Sequence, residues 1–523
     1  MNDTARPMSR VDTAWLRMDT DVNLMMIVGV WLLQPAVRYQ DLCDRVSERL
    51  LKYDRFRQKV VQGVLGSQWV DDDYFDIHRH VTIEKLQRRR GQSERDALKL
   101  RMGELASTPL DRAHPLWQFH FVEHYEGGSA SICRIHHCVA DGIALTSVMM
   151  SITDDIGLPP EIDRASADAE QQHQGDWVTD ELLKPITDTA VNAIDLSGEG
   201  LAKALRVLGH PRQSADQLLE LLRDGRQLVS DAAALALMRD DSPTPLKGHG
   251  SGRKIVDWCE PLPLEEVKAV GKALGASVND VLLTCVAGAI GRYLRDVGDD
   301  PTGKDIRAMV PVNLRPLEQA WQLGNRFGLA PLLVPVGIDN PIERLQIVRS
   351  RMTAHKFGFQ PLLAYGILNV SGLLNTWAQQ AVSRLFLDKT TAVMTNVPGP
   401  PVPLRLCGST VRQNIAWVPS SGDVGVGVSI ISYAGGVQFG LVTDAKLCPE
   451  PSRIIDRFAE EFEQLLLLAL MLPWSREETP PGPKGRIGST RGRPFDRRQH
   501  RQSLDALPGA TLRRRSPGPK NLR

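Results

Sequence analysis

Long apolar runs are missing from this sequence of 523 residues. The most apolar stretch near the C-terminus, residues 465–474, falls far short of the roughly 20 residues a helix needs to cross a bilayer, so the chain is expected to touch a membrane at most. The seven cysteines include no CxxC pair and belong to no small secreted framework, which argues against a disulfide scaffold and for reduced thiols in the cytosol. Residues 1–15 carry Asp3, Asp12 and other polar side chains where a secretory leader would be continuously apolar, so the mature chain is expected to start near Met1. Charge of one sign is lacking too. A formal net charge of +1 supplies no field that would select nucleic acid, and none is expected as a partner.

What is present is the mix of an enzyme-sized globular protein, with 42% hydrophobic and 24% charged residues. This length calls for two or more packed units. Within residues 38–61, Leu42, Val46 and Leu50 recur four apart and predict an amphipathic helix, as do Leu98, Met102 and Leu105 further on. Residues 117–125 and 129–135 flank Glu126-Gly127-Gly128 and predict a β-hairpin. A second hairpin is predicted from residues 425–433 and 437–442 around Ala434-Gly435-Gly436. Helices are expected over residues 264–274 and 278–294, and a strand over 306–312. The resulting division is an N-terminal α/β unit (1–153), a helical connector (154–252), a C-terminal unit richer in strands (253–474) and a disordered basic tail (475–523). That tail holds thirteen Lys and Arg against four Asp and Glu.

The first hairpin runs into His136-His137-Cys138-Val139-Ala140-Asp141-Gly142, and residues 143–152 then look helical. A strand-to-helix junction projects side chains from a rigid scaffold, and neutral imidazole can take a proton near pH 7. Adjacent residues leaving a strand point in opposite directions, so the two histidines should play unlike roles. Asp141 before Gly142 suggests a tight bend held by a carboxylate. Two other chemistries use the same residue types. Cys133, His136, His137 and Cys138 have the atoms of a zinc set but lack a second ligand pair at the usual spacing, so no metal is expected. Cys138 beside imidazole could also be a nucleophile. Asn279-Asp280 opens an apolar helix as either a cap or a substrate contact. Pro115, Leu116 and Trp117 read as core and turn residues or as a lining of an acyl path. Arg315 reads as the partner of a carboxylate or of cofactor phosphates.

HHCVADG resembles the HHxxxDG motif of the chloramphenicol-acetyltransferase-like superfamily. Pro115-Leu116-Trp117, Asn279-Asp280-Val281-Leu282-Leu283, Val310-Pro311-Val312-Asn313-Leu314-Arg315, Leu323-Gly324-Asn325 and Thr395-Asn396-Val397-Pro398-Gly399-Pro400 follow in the order of its wax ester synthase/diacylglycerol acyltransferase group. With Met8-Ser9-Arg10-Val11-Asp12 the resemblance spans residues 8–473. It implies an α/β fold of two related halves, each a mixed sheet with packed helices, and an active site at their interface. It implies transfer of an acyl group from acyl-CoA, a co-substrate, to diacylglycerol or a long-chain alcohol, with no cofactor besides. His137 would be the general base, His136 a structural support, Asp141 a loop-holding partner in a charge pair, and Gly142 the space beside the base. Asn279, Asp280, Asn313 and Arg315 would support the site. Related functions in the superfamily are transfer from a carrier protein and lipid binding without catalysis. A cytoplasmic place, peripheral at the inner membrane or lipid droplets, is also implied. The chain departs from the family at Lys247, where Asn is usual, and at Asn23-Leu24-Met25-Met26, where Pro-Met-His is usual.

Overall fold

The computed structural model describes residues 5–63, 66–159, 241–315, 321–355, 389–419 and 424–472. All belong to one unit, Met1–Leu472. The expected helices of the connector fall at residues 160–240, and the basic tail at 473–523, both outside the described residues.

Strand Met26–Gln34 shows how period-two alternation builds the N-terminal half. Met26, Val28 and Val30 enter one apolar core while Ile27, Trp31 and Leu33 enter another, so this strand is covered on both faces. It lies inside a six-stranded sheet that runs, edge to edge, Arg405–Leu406, Ser409–Trp417, Met26–Gln34, Gly128–His136, Trp117–Tyr125 and Val81–Ile83. Helices Arg10–Arg17, Tyr39–Arg49 and Gly142–Ser151 supply the core on one face. Helix Glu94–Ala106 packs on the other, where Trp258 and Trp417 from the C-terminal half complete the layer.

The C-terminal sheet runs Phe327–Val334, Ile306–Asn313, Ala392–Pro398, Val426–Tyr433, Gly436–Asp444 and Lys254–Trp258, with Leu262–Pro263 also paired on Gly436–Asp444. Helices Leu264–Leu274, Val278–Asp296, Pro341–His355 and Pro451–Met471 pack with it around one core. The fold is therefore the expected mixed α/β arrangement with two large sheets. Both predicted hairpins form, and each closes on a two-residue turn in which both residues have positive φ: Glu126 and Gly127 (46° and 75°), Ala434 and Gly435 (49° and 78°). Such a turn matches the right-handed twist of the strands it joins.

Three details differ from the sequence reading. The helix predicted within residues 38–61 stops at Arg49, where the four-residue apolar repeat ends at Leu50, and Gln58–Gly63 pairs with Gly66–Asp71 as a hairpin. Helix Val278–Asp296 is capped by Ser277, one residue before the expected segment: its hydroxyl accepts the Asp280 N–H, and the Asp280 carboxylate accepts the Ser277 N–H in return. Between Ala392–Pro398 and Val426–Tyr433, which are parallel neighbours, the chain leaves the C-terminal sheet and adds Ser409–Trp417 to the N-terminal one, antiparallel to Met26–Gln34. Among the described residues no single helix is long and apolar enough to cross a membrane.

Candidate active site

The histidine loop is placed by its hairpin. Register fixes Ile135 opposite Ile27 and His136 opposite Met26, and the strand ends there because the next amides bond elsewhere. The His136 N–H donates to the Leu116 carbonyl (2.9 Å) and the His137 N–H to the Met25 carbonyl (2.7 Å). The chain then turns, with the Val139 N–H donating back to the His136 carbonyl, and helix Gly142–Ser151 starts on Asp141, whose Oδ1 accepts the Ala144 N–H at 2.9 Å.

The two rings face different surroundings. His136 Nδ1 accepts the Cys138 N–H (3.1 Å), and its Nε2 lies 3.2 Å from Asp19 Oδ2. Burial works to raise the Asp19 pKa, but His136, the Met25 N–H and Arg112 outweigh it and hold the carboxyl below its ordinary value. His137 is only 4% exposed. It stacks on Trp15 (centroids 4.3 Å apart, 18° between planes) and leans on Phe327 at 5.4 Å. Burial in this aromatic slot pushes its pKa down to about 4, so the ring is neutral at ordinary pH. Its Nδ1 lies 2.8 Å from Asn325 Oδ1, while Nε2 makes no hydrogen bond to a described residue.

Segment 322–326 is laced to the loop from the other half. Gly324 donates its N–H to the Val139 carbonyl and accepts the Asp141 N–H. Its φ of 109° is in the region glycine favours. Arg315 reaches Asp141 Oδ2 at 2.9 Å and the Gly324 carbonyl at 2.6 Å, and the Arg326 N–H adds a second bond to Asp141 Oδ2. Arg315 thus partners a carboxylate. Burial lowers its pKa while Asp141 raises it. Asn313 braces that arginine's backbone by bonding both its N–H and its carbonyl. A Cβ built on Gly142 would meet nothing within 4 Å, although Val139, Ala140 and Asp141 beside it are buried.

Other candidates sit apart. Trp117 is a core pillar: its indole N–H donates to the Phe56 carbonyl at 2.8 Å, and its ring stacks on His80. Leu116 is buried and reaches the loop through its backbone carbonyl, and the Pro115 carbonyl accepts the Trp117 N–H. Asn279 bonds Asn396 at 2.6 Å and Asp280 completes the helix cap, both within the C-terminal half. Cys138 is fully buried and its thiol is pushed well above its ordinary pKa, which withholds the thiolate a nucleophile needs. Among the described residues no group of three His, Cys, Asp or Glu is placed to hold a metal. Sequence reasoning gave no role to Asp12, Trp15, Asp19, Arg55, Asn325 or Phe327. Asp12 and Asn325 stood within quoted motifs, which was the available signal.

Comparison with known proteins identifies the family and the fold. Residues 8–282 match the model of the wax ester synthase/diacylglycerol acyltransferase catalytic domain, and residues 323–466 that of the WS/DGAT C-terminal domain. A probable diacylglycerol O-acyltransferase of Mycobacterium tuberculosis is 25% identical over 88% of this chain and 96% of its own length. A second from the same species is 27% identical over 87% and 97%. Among solved structures, a wax ester synthase/diacylglycerol acyltransferase from Marinobacter aquaeolei VT8 superposes with a TM-score of 0.61 at 19% identity, over 89% of this chain and all of that one. The first condensation domain of the calcium-dependent antibiotic synthetase, with a substrate analogue, gives 0.53 at 14% identity, over 90% and 97%.

Proposed function

The chain belongs to the wax ester synthase/diacylglycerol acyltransferase family and is an acyltransferase, and from that premise we propose that it esterifies diacylglycerol or a long-chain alcohol with acyl-CoA, using His137 as general base. The observation that carries this reading is a neutral imidazole fixed in an aromatic slot, with Nε2 free of hydrogen bonds to described residues and room for a reactant at Gly142. Nε2 takes the hydroxyl proton as the acceptor oxygen attacks the thioester carbonyl carbon. The carbon–sulfur bond then breaks, and His137 returns the proton to the departing sulfur, which leaves an ester and free CoA. No other cofactor enters the balance. With its pKa held low, His137 is a weak base, so proton removal has to be concerted with attack on the already activated thioester. Asp141, paired with Arg315 and capping its helix, holds the loop and relays no proton.

The test is ester formation, read by mass, from long-chain acyl-CoA and a panel of diacylglycerols and alcohols. His137→Ala should lower kcat by about 10²–10⁴-fold per folded molecule, with the melting curve confirming a folded protein whose melting temperature falls because of the cavity left beside Trp15. Equal turnover by that variant rejects the base.

The same proposal places the protein in the cytoplasm, peripheral at the inner membrane or a lipid droplet, where insoluble acceptors reside. Leu467, Leu470, Met471 and Leu472 are 60%, 54%, 80% and 42% exposed at the end of helix Pro451–Met471, directly before the basic tail. Basic residues near an anionic surface contribute about 1 kcal/mol each. Co-sedimentation with anionic vesicles at low salt checks this location, and a protein that stays wholly in the supernatant refutes it.

A further inference from the structure

A neutral imidazole carries its proton on one nitrogen, and only the other nitrogen can act as a base. At His137 the ring meets the residue's own backbone and a side-chain amide, and the amide is the partner whose orientation other side chains set. Asn325 Oδ1 lies 2.8 Å from His137 Nδ1. The two ends of an amide have the same shape, so their partners must tell them apart. Asn325 Nδ2 lies 2.8 Å from Asp12 Oδ1 and 2.7 Å from the His137 carbonyl oxygen. Both of those atoms only accept hydrogen bonds, so an amide turned the other way would set its oxygen against two acceptors. The oxygen therefore faces Nδ1, and Nδ1 must bear the hydrogen.

The amide is itself held. Asp12 is fully buried and its Oδ1 also accepts the Asn325 backbone N–H at 3.1 Å. Its Oδ2 lies 3.0 Å from Arg55 Nη2, and Arg55 Nη1 donates to the Val139 carbonyl at 2.6 Å, which ties the far end of the network back to the histidine loop. Trp15, stacked on the ring, blocks the rotation that would exchange the two nitrogens. We infer that Asn325, oriented by the Asp12–Arg55 pair, is a positioning residue that locks His137 in the Nδ1–H tautomer and leaves the Nε2 lone pair for the acceptor hydroxyl. This rests on His137 being the base. An amide has an advantage over a carboxylate here, because it orients the ring without a full charge that would favour imidazolium and consume the lone pair.

The test compares Asn325→Leu, the exchange Asp12→Asn/Asn325→Asp and His137→Ala, each confirmed as folded by its melting curve. Asn325→Leu should lose about 10²-fold or more in kcat with KM for acyl-CoA within about twofold, as expected when a base loses its tautomer rather than its substrate contacts. The exchange keeps size and acceptor but sets a carboxylate beside Nδ1–H. It should recover part of the Asn325→Leu loss, since its second oxygen now opposes the His137 carbonyl, and move the acidic limb of the kcat/KM profile up by about one pH unit or more. A kcat for Asn325→Leu within about threefold of the parent, or an exchange variant whose acidic limb stays put, overturns the lock. Retained activity in His137→Ala overturns the base instead. Should the leucine variant fail to fold, the limb shift of the nearly isosteric exchange decides alone.

Discussion

Each half of the molecule buries a carboxylate against arginine, and the two networks end differently. In the C-terminal half, Glu461 is 1% exposed. Arg292 meets its Oε1 at 2.6 Å and Arg344 meets its Oε2. Arg344 goes on to the carbonyls of Thr284 and Ile338, so helices Val278–Asp296, Pro341–His355 and Pro451–Met471 are pinned together. Gly288 is small where a Cβ would strike the Glu461 carboxylate. Among the described residues this network joins carboxylate, guanidinium and backbone carbonyls, with no titratable ring at its end. From the N-terminal half, Arg55 and Asp12 lead through Asn325 of the other half back to His137, whose Nε2 bonds to no described residue. A closed network fixes helix packing. An open one delivers its orientation to a single atom that can react.

Substitutions test whether stability and turnover separate along this line. Glu461→Gln leaves Arg344 buried without its counter-charge and should cost about 3–5 kcal/mol of unfolding free energy in denaturant titration, with turnover per folded molecule unchanged. A matching fall in turnover would erase the distinction.

Acid should act on the N-terminal half. Burial pushes His137 and His120 down to about 4, whereas both protonate near 6.5 once unfolded. The unfolded chain therefore binds protons first as pH falls. Stability is complete above about pH 6.5 and declines toward pH 4, by about 3 kcal/mol for each histidine. His137→Gln should remove about half of that loss in melting temperature against pH.

Asp141→Asn removes the charge that holds Arg315 and the Arg326 N–H, and should cost about 1–3 kcal/mol together with part of the activity, since it loosens the segment carrying Asn325. Gly142→Ala should shift stability by less than about 1 kcal/mol, because Ala suits the first turn of a helix. It should nonetheless lower kcat/KM about tenfold, by narrowing the open space at this position that the proposed reaction gives to a reactant. Unchanged kinetics would show that no reactant uses that space.

What could be read from the sequence divides along the range of the forces involved. The hairpins at Glu126-Gly127 and Ala434-Gly435 and the helix ending at Gly275 are written in local residues, and they appear where expected. The histidine loop was equally legible, because a motif concentrates it in seven positions. Ser409–Trp417 alternates as a strand should, yet alternation names no partner, and joining the other half's sheet is a tertiary event. The same limit applied at the site. Asp12, Arg55 and Asn325 are far apart in sequence, and only folding shows that one amide connects them to His137.

The strand Ser409–Trp417 also sets an order of assembly. Until the ribosome has released residue 417, Met26–Gln34 has a bare edge on the side away from the histidine strand, and such edges invite foreign pairing. A fragment ending at residue 252 would keep the whole HHCVADG loop but expose that ladder of unpaired amides to any neighbouring copy. The first half of the gene product thus matures only with the arrival of a piece of the second.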